Sequence, residues 1–153
     1  MPKIKYDDSK INPNLLTHQL IELDEKMRVT SVENKNKALN NINFILNKIN
    51  QECTMHNDDD DEKINYVKCA NQLVIQYFPH KKSISVTNYA FQQADCDLYV
   101  YILMDALDMK NGPHILSMHQ GMPFYLLKIK IMTLFFGKQQ KILKLISVIH
   151  LMS

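Results

Sequence analysis

Cys53-x-x-His56 has the spacing of a metal-ligand pair, and His114 with His119 could supply a second one. Zinc takes four nitrogen or sulfur ligands in a tetrahedron, and these four residues would complete one set. The two pairs lie far apart, however, and six histidines in the chain produce such spacings by chance. Ordinary polar side chains are the favoured reading, and a zinc-dependent role ranks last among the alternatives. The acidic run Asp58–Glu62 suggests calcium at first sight. An EF-hand loop needs Gly at its sixth position and Glu at its twelfth. Counted from Asp58, those positions are Lys63 and Cys69, so the calcium reading fails. A solvated helix start remains.

Covalent or phosphoryl chemistry has no better footing. No serine sits in a Gly-x-Ser-x-Gly turn, and Gly112, Gly121 and Gly137 are the only glycines, so no glycine-rich phosphate loop can form. Asp105 and Asp108 are three apart and share a helix face, as a catalytic carboxylate pair would. Such pairs are more often the polar side of an amphipathic helix. The expectation is a protein that is not an enzyme and that uses no cofactor.

The remaining chemistry is electrostatic. The chain has 153 residues and a formal net charge of +2, from 18 basic and 16 acidic groups. All 16 acids precede residue 109, so the acidic body runs against a C-terminal part, 109–153, that carries six lysines and no acid. That part includes Phe124, Lys128, Lys130, Phe135, Phe136, Lys138, Lys141 and Lys144, the candidate residues for contact with a partner or a membrane. A basic, strongly apolar segment suits anionic lipid or an apolar groove. Its loss of acids also fits an extension appended to the evolved unit. Arg28 is the only arginine, which argues against base reading in nucleic acid. The abundance of Lys, Asn and Ile points to an AT-rich genome, such as a viral or protozoan one.

The elements that must position these residues are helical. Asn12-Pro13 can start a first helix with the stripe Leu16, Leu20, Leu23 and Met27. Ser31 can cap a second, striped by Leu39, Ile42, Leu46 and Ile49. A third carries Ile64, Val67, Leu73, Val74 and Tyr77 and closes at Pro79. Ser83 to Thr87 alternates polar and apolar residues, a short strand-like stretch without a clear partner. Asp95 can cap a fourth helix, which Lys110-Asn111-Gly112-Pro113 stops. Residues 124–136 are apolar nearly all round; their length favours a buried helix, although the Lys-Ile-Lys-Ile alternation also fits a strand, and 138–152 are expected to form a basic amphipathic helix.

The composition, 46% hydrophobic and 22% charged, supports a packed core and excludes a fully disordered chain. Three cysteines at unpatterned spacings imply no disulfide framework. With no signal peptide and no apolar run of about 18 residues, an intracellular, cytoplasmic protein is expected. The fold expected is a single, mostly α domain over 12–153, of about five to six helices, preceded by a flexible arm at 1–11. Its core would draw on Leu16, Leu20, Leu23, Ile42, Leu46, Val67, Val74, Ile102, Leu126, Ile131, Ile142 and Ile146. The leading function is a non-enzymatic protein-interaction module or accessory subunit that binds a partner or itself. Peripheral membrane association through 124–152 is the alternative.

Overall fold

Four α-helices follow in order: α1 (Leu16–Lys26), α2 (Val32–Glu52), α3 (Asp60–Tyr77) and α4 (Cys96–Asn111), with a 3-10 helix, Val86–Phe91, ahead of the last. The computed structural model describes residues 1–57 and 60–111. The mostly helical expectation holds, and Met1–Asn111 forms one compact unit. Residues 112–153, which carry the candidate contacts Phe124, Lys128, Lys130, Phe135, Phe136, Lys138, Lys141 and Lys144, lie outside the described residues, as do the expected core positions Leu126, Ile131, Ile142 and Ile146.

The centre of the unit is α2. Ser31 caps it as its sequence suggests, its hydroxyl accepting the Asn34 N–H at 3.1 Å. The stripe Leu39, Ile42, Leu46 and Ile49 is buried, together with Ala38 and Ile45. Each fully buried Leu or Ile contributes roughly 1.5–3 kcal/mol over an exposed one. Every other described helix, the 3-10 helix included, packs on α2. Asn41 interrupts the apolar face and donates from Nδ2 to the carbonyl of Tyr89 at 2.9 Å, which fixes the 3-10 helix to α2.

Helix α1 departs from its sequence reading. Leu23 and Met27 are 47% and 66% exposed, Leu16 and Leu20 are half-buried, and the residues facing the core are Leu15, Thr17, His18 and Ile21. Two polar side chains can face inward because each has a partner. His18 Nδ1 accepts the Asn12 N–H at 2.7 Å. Burial pushes the pKa of this ring below the usual imidazole value, leaving it neutral and able to accept. Thr17 is held by Asp105, described below. Asn12 is not the cap expected of it; its Oδ1 accepts the Asn14 N–H at 3.0 Å in the turn that precedes the helix. The far end closes with Val29 N–H on the Asp24 carbonyl and Arg28 N–H on that of Glu25, both 2.9 Å. Arg28 takes the left-handed conformation, φ 59°, that this closure requires.

In α3 the buried face is Tyr66, Val67, Ala70 and Val74, continued by Phe78. Buried tyrosine hydroxyls then tie elements together through carbonyls. Tyr66 donates to Ala106 at 3.3 Å, Tyr99 to Phe78 at 2.6 Å and Tyr89 to Leu98 at 2.6 Å. Asp95 caps α4 as expected, accepting the Leu98 N–H at 3.2 Å. The possible strand near 83–87 does not form, and no strand exists among the described residues. Ser85 is extended, but Val86 already begins the 3-10 helix. The alternation is real, with Ile84 fully exposed and Val86 buried, but no neighbouring strand among the described residues offers a ladder.

The cysteines correct the reading that no pair exists. Cys53 and Cys69 form a disulfide, with Cα atoms 5.9 Å apart, that joins the end of α2 to α3; Cys96 is free of any disulfide. The intracellular expectation drew on unpaired cysteines, and that support is gone, because disulfides persist mainly in oxidising compartments. No helix among the described residues is long and apolar enough to cross a membrane.

The link between α1 and α4 is electrostatic. Asp105 is fully buried; its Oδ1 accepts the Leu16 N–H and its Oδ2 the Thr17 N–H, each at 2.8 Å, and Thr17 Oγ1 donates to Oδ2 as well. A side chain of the last described helix thus caps the N-terminus of the first, where the helix dipole favours negative charge. Burial nevertheless lifts the Asp105 carboxyl from 3.8 to about 7, against the lowering effect of those same bonds, and nearby Asp108 adds to the rise.

Removing the disulfide by Cys69→Ala should lower unfolding free energy by ~3 kcal/mol, the loop-closure value for this separation, measured by urea denaturation without reductant. The same measurement on the parent chain in reductant should give a similar loss. Asp105 holds its proton to about pH 7 when folded, whereas the unfolded carboxyl releases it near 4. Between these values the folded state binds more protons, so this residue makes stability fall as pH rises, by at most ~1.4 kcal/mol per unit. Asp105→Asn should flatten that slope between pH 5 and 7, and Asp105→Ala should cost ~2–4 kcal/mol by stranding the α1 amides.

Candidate functional site

The candidates for chemistry are dispersed or already engaged. The sulfur of Cys53 is in the disulfide, so Cys53 and His56 have no thiolate to offer a metal; His114 and His119 lie outside the described residues. No group of three or more metal-ligating side chains converges among the described residues. The carboxylates of Asp105 and Asp108 are both buried in the helix packing, and Asp105 serves as the α1 cap rather than facing a substrate. Cys96 Sγ lies 3.9 Å from His80 Nε2, a loose thiol–imidazole contact.

A different set of residues converges where α1, the 83–86 segment and the start of α4 meet. They enclose a cleft of about 270 Å³. Its apolar lining comes from Leu20 and Leu23 of α1, Ile84 and Val86 of the segment, and Leu98 and Tyr101 of α4. Asp24, Asp95 and Asp97 stand among them. The rotation of α1 that brings Thr17 and His18 inward is what turns Leu23 out to this cleft.

The segment that carries Ile84 is anchored just ahead of that residue. Lys81 N–H donates to the Ala94 carbonyl at 3.0 Å, and Ser83 N–H to Asp95 Oδ2 at 3.4 Å. Ile84 is therefore held at the rim, 99% exposed. Asp24 accepts the Thr87 hydroxyl at 2.7 Å, which fixes the carboxylate beside the same segment. Asp95 and Asp97 stand at the cap and first turn of α4, where the helix N-terminus favours carboxylates.

The local field is negative. The Tyr101 hydroxyl is pushed up to about 12, first by burial and then by the charges of Asp97 and Asp95. None of the three aspartates has an ion-pair partner among the described residues, whereas Glu25, Glu33 and Glu52 pair with Lys35, Lys37 and Lys48. The cleft thus combines accessible apolar surface with carboxylates that no described cation matches. Sequence reasoning missed this site: Leu23 reads as core and Ile84 as part of an extended, strand-like connection. A large apolar residue between two serines, Ser83-Ile84-Ser85, was the available signal of an apolar side chain kept in solvent. No family model, curated protein or solved structure matches this chain.

Proposed function

We propose that this chain is a protein-interaction module whose cleft takes an apolar, basic segment of a partner protein. The observation that carries the reading is the exposure of Ile84 and Leu23 beside Asp24, Asp95 and Asp97. Burial of Ile84 against a partner would remove a full aliphatic side chain from water, worth ~1.5–3 kcal/mol. The carboxylates add selectivity: a lysine or arginine beside the partner's apolar residues is attracted, and an acidic segment is repelled. Peripheral membrane association through 124–152 stays a separate reading that no observation on Met1–Asn111 favours.

A synthetic amphipathic peptide of Leu and Lys is the probe, with Leu/Glu and Ser/Lys peptides of equal length as controls. The Leu/Lys peptide should bind the full chain by calorimetry, and both controls should fail. Ile84→Ser, at a fully exposed position, should weaken binding about tenfold or more. Asp97→Lys should weaken it further at low salt than at high salt. Equal binding of the Leu/Glu peptide, or affinity unmoved by both substitutions, removes this reading. Flotation with anionic vesicles that is lost on exchanging Lys138, Lys141 and Lys144 for Glu would support the membrane reading instead.

A further inference from the structure

The N-terminal arm, residues 1–11, lies against α2 and the end of the 3-10 helix, and side-chain amides hold it by its main chain. Gln92 Oε1 accepts the Ile4 N–H at 3.2 Å while Gln92 Nε2 donates to the Pro2 carbonyl at 2.9 Å. A single amide therefore reads both polar groups that flank Lys3, as a neighbouring strand would. Asn40 Oδ1 accepts the Asp8 N–H at 2.7 Å, and Asn43 Nδ2 donates to the carbonyls of Asp8 and Lys10, each at 3.0 Å. Asn40 and Asn43 are three apart on α2, so they present their amides on one face. None of these bonds uses an arm side chain.

Gln92 occupies left-handed backbone, φ 52° and ψ 49°, although it is not glycine. The residue is nine-tenths buried and its amide also donates to the Tyr77 carbonyl at 2.9 Å, so its orientation toward the arm is fixed from behind. Backbone strain kept at a residue that grips another segment is a feature of binding sites. Along the arm only Ile4 and Asp8 are half-buried, and Lys3, Lys5, Tyr6, Asp7, Ser9 and Lys10 are exposed, so the arm lies along the surface and is gripped mainly through its backbone. Tyr6 supplies the side-chain contact, its ring edge-on to Phe44 at 5.7 Å, and Phe44 in turn meets Tyr77 at 5.0 Å. A cavity of about 550 Å³ remains beside the arm, lined by Tyr6, Asn36, Asn40, Ala90 and Gln92 among others.

We infer that this face is a peptide-binding site that reads main chain, occupied in cis by residues 2–10, and that an extended segment of a partner protein, with an aromatic residue at the place of Tyr6, binds there by displacing the arm. Main-chain reading makes the site tolerant of sequence, and the aromatic contact sets the register. No arm side chain is fully buried, so the arm is held lightly. Tethering gives it an effective concentration of roughly millimolar, which a free peptide must overcome. The site is separate from the acidic cleft and does not depend on that reading.

The probe is a fluorescent peptide of residues 1–11, titrated by anisotropy into the full chain. Tyr6→Ala in the full chain loosens the tethered arm and should raise the probe's affinity about tenfold or more over the parent chain. A probe N-methylated at the Ile4 and Asp8 positions loses both gripped N–H groups and should fall to background on the same protein. Asn43→Ala should give a similar loss, and the methylated probe covers the case in which that variant fails to fold. Absence of binding to the Tyr6→Ala chain at millimolar probe, or equal binding of the methylated probe, overturns the proposal. Concentration-dependent dimerisation of the parent chain, abolished by Asn43→Ala, would identify a second copy as the occupant and overturn the assignment to a partner.

Discussion

The constraint that organises Met1–Asn111 is the apolar face of α2. A helix of 21 residues extends for about 32 Å, and its buried stripe runs from Ala38 to Ile49. None of the other described elements covers that length and breadth alone. Coverage is shared among α1, α3, α4 and the 3-10 helix. Each covering element then needs its own attachment. Asn41 fixes the 3-10 helix, the disulfide joins α3, Asp105 joins α1 to α4, and tyrosine hydroxyls tie α3 and the 3-10 helix to α4. The polar contacts thus assign each element its place on a surface that apolar burial alone would cover in several ways.

What the sequence makes legible follows from how local the determining interactions are. Ser31 and the Leu39–Ile49 period specify α2 within its own span, and Asp95 marks the start of α4 in the same way. The stripe read for α1 is rotated because its inward polar residues find partners outside the helix: Thr17 in a carboxylate 88 residues away, His18 Nδ1 in the turn before the helix. Periodicity cannot register a partner that distant. The disulfide escapes the sequence for a related reason. Cys53 continues the stripe of Leu46 and Ile49, and Cys69 follows Tyr66 by three. Treating both cysteines as apolar would have placed them on the facing sides of α2 and α3.

The acidic cleft is hidden more deeply. Asp24, Asp95 and Asp97 are ordinary where they stand in the chain, and only tertiary structure brings Asp24 to the other two. The charge asymmetry found in the sequence does carry part of the message: the acids belong to the portion of the chain ending at Asp108. Which of them stand apart from a lysine is a matter of geometry. Glu33–Lys37 and Lys48–Glu52, by contrast, form pairs four residues apart that pattern alone suggests.

The Asp105 cap also sets the order of events while the chain is made. A polypeptide leaves the ribosome from its N-terminus, so the residues of α1 emerge long before those of α4. Until Asp105 has emerged, the first amides of α1 have no carboxylate to receive them, and Thr17 has no place in an apolar interior. The start of α1 therefore lacks its cap without the distal helix, and a chain halted before residue 105 holds an α2 without its full cover. A chain that ends short of α4 thus leaves uncovered the part of the α2 stripe that this helix hides in the finished unit.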